Sequence, residues 1–357
     1  MNESNNLKKQ YGIKEIAQKA QVSIATVDRV IHKRGGVALK TKERILEIIE
    51  EFDYQPNILA SRLSSNKTYR MAILIPQVSE NTDFWEAPYQ GVLKAQNEIG
   101  QFGIDIRTYF YKLDDKSSFT KQAELLLANA PDGVVLAPLF IPEATDLSQK
   151  LAEARIPYVY IDTNIPGQNN ISYIGPHIYQ SGFVAGQLAL YGIRENGGEM
   201  LVVNYTSVSN DGQHIKEIER GFVDYIQKTN PAVTVNALNF HGDDARSMES
   251  DLARYLVDHP NIEGVFVTNS RVFKIAEVLK RLGMHHKILI GFDNIDQNIK
   301  GLKDELIDFL ICHKPEEQGY RGVINLYQNI LLTQKIEKVQ YMPIDILTKE
   351  NVDFYTN

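Results

Sequence analysis

A cluster of side chains near the N-terminus has the chemistry needed to read duplex DNA. Arg29 carries a planar guanidinium that can bond guanine or contact a phosphate, and Ile24 and Ala25 can touch thymine methyl groups. Arg29 could instead pair with a neighbouring acid on a solvated face, but the helical unit around it favours the DNA-contacting interpretation. The predicted DNA-contacting residues of this segment are Ser23, Ile24, Ala25, Thr26 and Arg29.

A second set of side chains follows short apolar runs in the rest of the chain. Phe84 and Trp85 come a few residues after one such run, and aromatic faces there can stack on the C–H surface of a sugar ring. Asp293 follows another run, where its carboxylate can accept hydrogen bonds from ligand hydroxyls or cap the next helix. Asn269 ends a third run and is either a ligand contact or a plain loop residue. These positions suit a ligand cleft at the carboxyl ends of strands.

Three helices are predicted to position the first set. Apolar residues recur at helical spacing over 13–20 and predict the first helix. Ser23 can cap a second helix. An apolar stripe predicts a third helix over 40–52, which ends before Pro56. Two short helices joined by so tight a turn suit a major groove. Residues 58–66 resemble a hinge helix that is too short to be stable alone.

Strand-like and amphipathic helical runs alternate from residue 70 onward, which indicates an α/β fold with parallel sheets covered by helices. The predicted strands are 71–76, 104–111, 133–138, 158–162, 200–204, 233–238, 264–268 and 288–293. They are too many for one compact sheet, and the pattern pauses over 163–175. Two Rossmann-like lobes facing each other across a cleft are therefore predicted, after an N-terminal helix-turn-helix head of three helices.

The charge of the chain is unevenly distributed. Residues 1–70 hold 13 Lys and Arg against 8 Asp and Glu, a net charge of +5, within a chain whose formal net charge is −7. The remaining residues therefore carry a net charge of −12. Only the N-terminal segment is electrostatically suited to a phosphate backbone, although a basic segment alone is more often just a solvated surface.

Several classes of protein are disfavoured by composition and by missing motifs. The single cysteine, Cys312, excludes an intramolecular disulfide, and no Cys/His spacing suggests a metal site. No secretory signal or membrane-spanning run is visible, so a cytoplasmic location is expected. No dinucleotide, phosphate-loop or nucleophile-elbow motif occurs, so no cofactor and no catalytic residue are predicted. An enzyme or a sugar-transport protein of the same doubly wound fold, without a DNA role, is the alternative.

The sequence resembles the lactose-repressor (LacI) family of bacterial transcription regulators. The resemblance rests on residues 12–17, 22–30, Val37, Thr41 and 54–63. It continues into a body similar to the sugar-binding fold of periplasmic binding proteins, and it covers nearly all of the chain. It implies a homodimer whose paired second helices bind successive major grooves of a near-palindromic operator.

The resemblance also assigns DNA contacts beyond the second helix. Leu63 occupies the position of a hinge leucine that enters the minor groove, and the surrounding match favours this role over that of an ordinary linker leucine. Asn57 and Ala60 complete the predicted DNA-contacting set. Asp28 stands where many members carry a small polar residue, so the operator sequence cannot be transferred from the family.

The effector contacts follow from the same resemblance. Phe84 and Trp85 match an aromatic pair, and Asp293 and Asn269 match ligand-binding residues. Three further positions are altered. His177 stands where the family often has Asp, and His313 stands where Gln is common. His214 and Lys216 stand near the position of the usual Arg. The predicted effector-binding residues are Phe84, Trp85, His177, His214, Lys216, Asn269, Asp293 and His313. The histidines suggest an anionic or otherwise unusual sugar, and metal binding by them is not expected.

The predicted organisation is a DNA-binding domain over 1–57, a hinge and linker over 58–69, and a two-lobed effector and dimerisation domain over 70–345. Lobe one covers about 70–170 plus a C-terminal return, and lobe two covers about 171–292. The expected function is that of a sequence-specific DNA-binding transcriptional regulator, a repressor, whose operator affinity is controlled by a sugar or sugar-derived effector in the cleft. Linkage makes such coupling reciprocal, but the sequence does not say whether effector strengthens or weakens DNA binding.

Overall fold

The fold was analysed in a computed structural model. The structure describes residues 12–31, 34–52, 68–78, 83–193, 197–206, 212–241, 245–284 and 287–356. The chain forms two compact units that divide between residues 67 and 68. Each unit is described by itself.

The N-terminal unit contains three helices around a small apolar core. They are α1 (Ile13–Lys19), α2 (Ile24–Ile31) and α3 (Leu39–Glu51). The Oγ atom of Ser23 accepts a hydrogen bond from the Thr26 backbone N–H at 3.2 Å, which confirms the predicted cap of α2. The buried core residues are Ile16, Ala17, Ala20, Val27, Val30, Ile45 and Ile48. Leu46, expected in the apolar stripe of α3, is instead 45% exposed because it points away from this core.

The second unit contains two parallel-dominated sheets covered by helices. Its strands are β1 (Tyr69–Pro76), β2 (Ile104–Tyr111), β3 (Gly133–Leu136), β4 (Tyr158–Ile161), β5 (Ser172–Gly175), β6 (Glu199–Thr206), β7 (Thr234–His241), β8 (Ile262–Val267), β9 (Ile288–Phe292), β10 (Phe309–Cys312), β11 (Val339–Tyr341) and β12 (Asp345–Leu347). Its helices are α4 (Glu86–Ile99), α5 (Lys116–Ala128), α6 (Ile141–Glu153), α7 (Ile178–Leu190), α8 (Gln213–Thr229), α9 (Ala245–Asp258), α10 (Val272–Arg281), α11 (Asp296–Lys303) and α12 (Pro315–Leu332). Short 3-10 helices lie at Gly100–Phe102 and Val352–Phe354.

The strand order is the same in the two sheets. Lobe one has the order β11-β5-β4-β3-β1-β2, and lobe two has the order β12-β10-β9-β8-β6-β7. All pairs are parallel except β10 with β12. The predicted α/β architecture of two lobes is therefore confirmed. The sheet of lobe two includes β10 and β12, so this lobe extends past residue 292, the end expected from the sequence.

The eight predicted strands are all present, with ends shifted by up to three residues. The predicted pause over 163–175 is wrong in one respect, because β5 lies inside it. Short strands of three or four residues carry little periodic signal, which also explains why β10, β11 and β12 were not predicted.

Glycines allow two helix pairs to approach closely. A Cβ atom placed on Gly91 of α4 or Gly319 of α12 would overlap the backbone of the other helix. The same relation holds between Gly182 of α7 and Gly221 of α8. In each pair, one helix follows a crossover between the lobes and packs against a helix of the lobe that the chain enters.

Candidate functional site

The outer face of α2 presents the residues predicted to contact DNA. Ser23, Ala25 and Arg29 are exposed, and Ile24 is exposed by 47%. Val27 and Val30, on the opposite face, are buried in the core. The helical period therefore places these four side chains outward while the valines hold the helix in place.

The ion pairs around α2 leave Arg29 available. Asp28 accepts a hydrogen bond from the Arg34 guanidinium at 3.1 Å, while Arg29 forms no ion pair with another described residue. Thr26 is half-buried and its hydroxyl lies 2.9 Å from that of Ser23. Asn57, Ala60 and Leu63, the other predicted DNA contacts, lie outside the described residues.

A cavity of about 210 Å³, termed the inner cavity, lies between the two lobes of the second unit. It is formed by loops at the carboxyl ends of strands from both lobes, as expected for an α/β ligand site. Six of the predicted effector-binding residues line it: Phe84, Trp85, His214, Asn269, Asp293 and His313. Further lining residues that the sequence did not single out include Asp162, Thr163, Tyr205, Arg271 and Gln318.

Aromatic side chains form one wall of the inner cavity. The rings of Phe84 and Trp85 meet edge to face with centroids 5.2 Å apart at the start of α4. Trp85 is 4% exposed, so it supports the wall, while Phe84 is half-buried and more open to the cavity. Such a wall can pack against the apolar face of a ring-shaped ligand.

Two aspartates approach the inner cavity from the two lobes. Asp293 follows β9 with φ 70°, and its side chain forms no hydrogen bond with other described residues. Burial raises its pKa well above the usual value, and the negative charge of Asp162 adds to the effect. The N-cap of the following helix is Ile295, without a side-chain cap, so the alternative role of Asp293 as a cap is wrong. Its carboxylate is open to ligand hydroxyls.

Asp162 follows β4 with φ 64° in the corresponding place of lobe one. Its backbone N–H lies 3.1 Å from Oε1 of Gln318, and its carboxylate accepts a hydrogen bond from the Thr163 hydroxyl at 3.0 Å. Burial raises the pKa of Asp162, while interaction with His214 and the Thr163 hydrogen bond oppose the change. The sequence signal that could have identified Asp162 is an acidic residue directly after a buried strand.

Two neutral histidines complete the polar part of the cavity. The His313 ring nitrogen Nε2 lies 2.8 Å from the Ser181 hydroxyl, and burial lowers the His313 pKa to about 3. Burial also lowers the pKa of His214, against the opposing effect of Asp162. His214 Nδ1 is buried and has no hydrogen-bond partner among the described residues. Both rings can therefore donate or accept hydrogen bonds without carrying charge.

Amide side chains hold the strand ends in place. Asn298, fully buried, donates to the backbone oxygens of Ser270, Phe292 and Asp293 at 2.8 to 3.0 Å. Asn269 donates to the backbone oxygen of Tyr205 and accepts from the Arg271 N–H. Asn269 therefore shapes the loop, as one of the two interpretations from the sequence expected, and it also lines the inner cavity.

Two predicted effector contacts lie elsewhere. Lys216 is exposed and does not line the inner cavity, because two residues along a helix rotate a side chain by about 200° from His214. His177 is exposed at the start of α7, where its Nδ1 atom accepts from the Gln180 N–H at 3.3 Å. It lines a neighbouring space, the outer cavity, together with Tyr179, Glu217, Arg220 and Tyr341.

The inner cavity thus combines an aromatic wall, two carboxylates, two uncharged imidazoles and the guanidinium of Arg271. Carboxylates and imidazoles bond hydroxyl groups, and aromatic faces bind the C–H face of a ring. Because the histidines are uncharged, they do not supply the positive charge on which the expectation of an anionic ligand rested. No group of three or more potential ligands among the described residues could hold a metal ion.

Comparisons with known proteins support both the helix-turn-helix unit and the two-lobed unit. The profile of bacterial regulatory proteins of the lacI family matches residues 12–57, and the periplasmic binding protein domain matches residues 72–332. The ribose operon repressor of Halalkalibacterium halodurans is 25% identical over 79% of this chain and 80% of its own length. The sucrose operon repressor of Pediococcus pentosaceus is 23% identical over 79% and 81%.

A solved structure supports the same assignment. A Bacteroides fragilis protein assigned as a LacI transcriptional regulator has a TM-score of 0.74 and 29% identity, over 81% of this chain and 100% of that chain. A helix-turn-helix unit followed by a two-lobed ligand-binding unit defines a ligand-responsive DNA-binding regulator rather than an enzyme. The chain belongs to the lacI family of bacterial regulatory proteins. Among its described residues, no helix is long and apolar enough to cross a membrane.

Proposed function

We propose that this protein is a repressor whose affinity for operator DNA is set by an uncharged sugar in the inner cavity. The observation that carries the proposal is the convergence of Phe84, His214, Asp293 and His313 on one cavity between the lobes. The named relatives are repressors of a ribose operon and of a sucrose operon. The acting form is a cytoplasmic homodimer on a near-palindromic operator.

The chemistry of the inner cavity favours an uncharged polyhydroxy ligand over an anion. Asp162 and Asp293 supply two carboxylates, against one guanidinium from Arg271. Lowered pKa values keep His214 and His313 neutral near pH 7. An anionic sugar would therefore find one cationic side chain beside two acidic ones, whereas sugar hydroxyls can form hydrogen bonds with either carboxyl group.

Coupling between the sites rests on the segment that joins the two units. Effector binding closes the lobes, and the movement changes the separation of the two 58–69 segments in the dimer. DNA contacts by Leu63 and its neighbours then depend on the occupancy of the inner cavity. Coupling of this kind generally amounts to about 1 to 3 kcal/mol and is reciprocal between the ligands.

Operator binding in the presence of a sugar panel tests the proposal directly. A fluorescently labelled fragment upstream of the gene is titrated with the protein, with and without neutral sugars and their acidic or phosphorylated derivatives. A neutral sugar is expected to weaken operator binding and to raise the melting temperature of the protein by mass action. Binding of acidic sugars only, with no response to neutral ones, would contradict the proposed ligand class.

The Asp293→Ala variant tests whether the Asp293 carboxylate contacts the effector. It is expected to abolish the response to sugar while leaving operator affinity without sugar unchanged. The matched control is Asp296→Ala, since Asp296 is an exposed acid three residues away that does not line the cavity. A full response in the Asp293 variant would show that its carboxylate does not contact the effector.

Arg29→Ala tests the DNA-reading face. Loss of a bidentate contact is expected to weaken operator binding by about 1 to 3 kcal/mol without changing sugar affinity. Arg44→Ala on α3 serves as the control, because Arg44 is exposed but lies on another helix. The measurement compares affinity for operator and for random duplex at several salt concentrations. An unchanged preference for operator would remove Arg29 from the reading face.

A further inference from the structure

The outer cavity lies next to the inner one. Its volume is about 440 Å³, compared with about 210 Å³ for the inner cavity. Both spaces share one wall, which places them side by side, and a ligand that spans them would pass this wall. The residues that line both are Leu139, Asp162, Thr163, Pro176, Ile178 and His214.

The size of the inner cavity alone is small for an effector site. Small-molecule pockets in proteins usually span roughly 300 to 1,000 Å³. The inner cavity falls below that range, whereas a ligand occupying both cavities falls within it. The volume comparison therefore points to a ligand longer than a single sugar ring.

The outer cavity offers an aromatic surface for a second ring. Tyr341, at the end of β11, is 57% exposed, and its ring centroid lies 4.9 Å from that of His177. Tyr173 supports Tyr341 from behind and is fixed by hydrogen bonds from its hydroxyl to the backbone oxygens of Asp162 and Pro176. An exposed tyrosine held by buried neighbours is a suitable stacking surface, because little side-chain entropy remains to be lost.

The lining of the outer cavity also offers polar groups that are already held in position. The Arg220 guanidinium lies 2.6 Å from the Glu217 carboxylate and 4.9 Å from the ring centroid of Tyr179. The Tyr179 hydroxyl donates to Asp224 at 2.9 Å. A charged pair fixed in this way can both donate hydrogen bonds to sugar hydroxyls and accept hydrogen bonds from them.

We infer that the effector is an oligosaccharide of at least two rings, with one ring in the inner cavity and the next in the outer cavity between Tyr341 and Arg220. The inference rests on the proposed function as a sugar-responsive repressor. In this arrangement the linkage between the rings passes the shared wall near Asp162 and His214. Hence His177 and Tyr341 contact the second ring, and His177 does not contact the first.

Calorimetric titration of the full-length protein tests the inference with a defined panel. The disaccharides are maltose, cellobiose, lactose, melibiose and sucrose, and the monosaccharides are their constituents glucose, galactose and fructose, together with ribose. At least one disaccharide is expected to bind about tenfold or more tightly than either of its constituents, which corresponds to about 1.4 kcal/mol. Equal or tighter binding of a constituent monosaccharide would overturn the inference.

Two variants locate the second ring. Tyr341→Ala and Arg220→Ala are each expected to weaken binding of that disaccharide about tenfold and to leave monosaccharide binding unchanged. Tyr191→Ala is the matched control, because Tyr191, the residue directly after α7, is 72% exposed and lines neither cavity. Thermal melting of each variant verifies that it is folded. Unchanged disaccharide affinity in both variants would overturn the assignment of the outer cavity.

The outcomes separate this inference from the function on which it rests. If monosaccharides alone bind and release the operator, the protein is a sugar-responsive repressor and only the two-ring ligand is wrong. If no saccharide of the panel binds while operator binding persists, both statements are wrong. Disaccharide binding that is lost in Asp293→Ala and weakened in Tyr341→Ala supports both.

Discussion

Lobe one and lobe two share their scaffold and differ in the chemistry they present to the cleft. Strand β4 of lobe one and β9 of lobe two occupy the third position in the same strand order. Each is followed by an aspartate in the left-handed region, with φ 64° at Asp162 and 70° at Asp293. Each of these N–H groups donates to the next strand, to Ile174 and Ile311 at 3.1 and 3.0 Å.

The difference between the two aspartates lies in their side-chain partners. The carboxylate of Asp162 accepts a hydrogen bond from Thr163, whereas that of Asp293 has no hydrogen bond to the described residues. Lobe one adds the aromatic Phe84, and lobe two adds His214 and Arg271. A repeated backbone thus positions unlike groups on the two sides of a ligand, and specificity is decided at the strand ends while the sheets remain alike.

The largest expected effect comes from breaking the shared helix crossings. Gly182→Ala in lobe two and Gly319→Ala in lobe one each introduce a Cβ atom that overlaps the backbone of the facing helix. Because both contacts are with backbone, the helices must separate, and each variant is expected to lose about 3 kcal/mol of unfolding free energy. Chemical denaturation of each variant measures this loss.

The control for the helix crossings is Gly100→Ala. Gly100 has φ −57° and open space around the position of its Cβ, so alanine is expected to change the stability by less than about 1 kcal/mol. A neutral Gly182 variant beside a destabilised Gly319 variant would show that only one lobe depends on close helix contact.

The second-largest expected effect distinguishes Asp293 from Asp162 in effector binding and in the pH dependence of stability. Asp293→Asn is expected to weaken effector binding about 100-fold, or about 2.7 kcal/mol, because an amide has one acceptor oxygen where a carboxylate has two, and its NH2 group cannot accept from a hydroxyl. It should also stabilise the ligand-free protein near pH 7. The folded-state pKa of Asp293 lies above its unfolded value, so its contribution to stability falls as pH rises from the unfolded pKa to the folded pKa.

Asp162→Asn sharpens this contrast. Interaction with His214 and the hydrogen bond from Thr163 both oppose the rise in the Asp162 pKa, so removing its charge should stabilise the protein less. Denaturation from pH 4 to pH 8 measures both variants against Asp296→Asn, whose side chain is exposed. Equal pH profiles for the Asp162 and Asp293 variants would mean that the local hydrogen bond does not distinguish the lobes.

The contrast between the lobes also shows what the sequence could predict. Long apolar runs such as those of β1 and β6 predicted both sheets, because buried parallel strands are continuously hydrophobic. The four-residue strands β5 and β10 were not predicted, although each receives the hydrogen bond of a cavity aspartate. Their signal depends on pairing with distant strands rather than on local pattern.

The candidate site was predictable where a residue type and a strand end coincide, as at Asp293. Lys216 was misplaced because the sequence match did not resolve which side of α8 faces the cavity, while His214 lies on that side. His177 was matched to a sugar-binding acid, but the acid of lobe one that faces the cavity is Asp162. Gln318 could not be recognised, since its role arises from a contact between residues 156 positions apart.

The smallest expected effect concerns the crossover between the lobes at His313. Burial lowers its folded pKa to about 3, so its contribution to stability is present above the unfolded pKa and is lost as pH falls below about 6.5. The wild-type protein is expected to lose about 2 kcal/mol of unfolding free energy through this group between pH 7.5 and pH 5.

His313→Gln should remove most of that loss, because glutamine can still bond the Ser181 hydroxyl but does not titrate. His259→Gln is the matched control, since His259 is a half-buried histidine stacked on Tyr255 in lobe two, away from the cleft. The free energy of unfolding is measured for both variants at the two pH values. If the His313 variant keeps the wild-type pH dependence, the crossover histidine is already charged in the folded protein. The inner cavity would then carry a positive charge at His313, which would favour an anionic ligand.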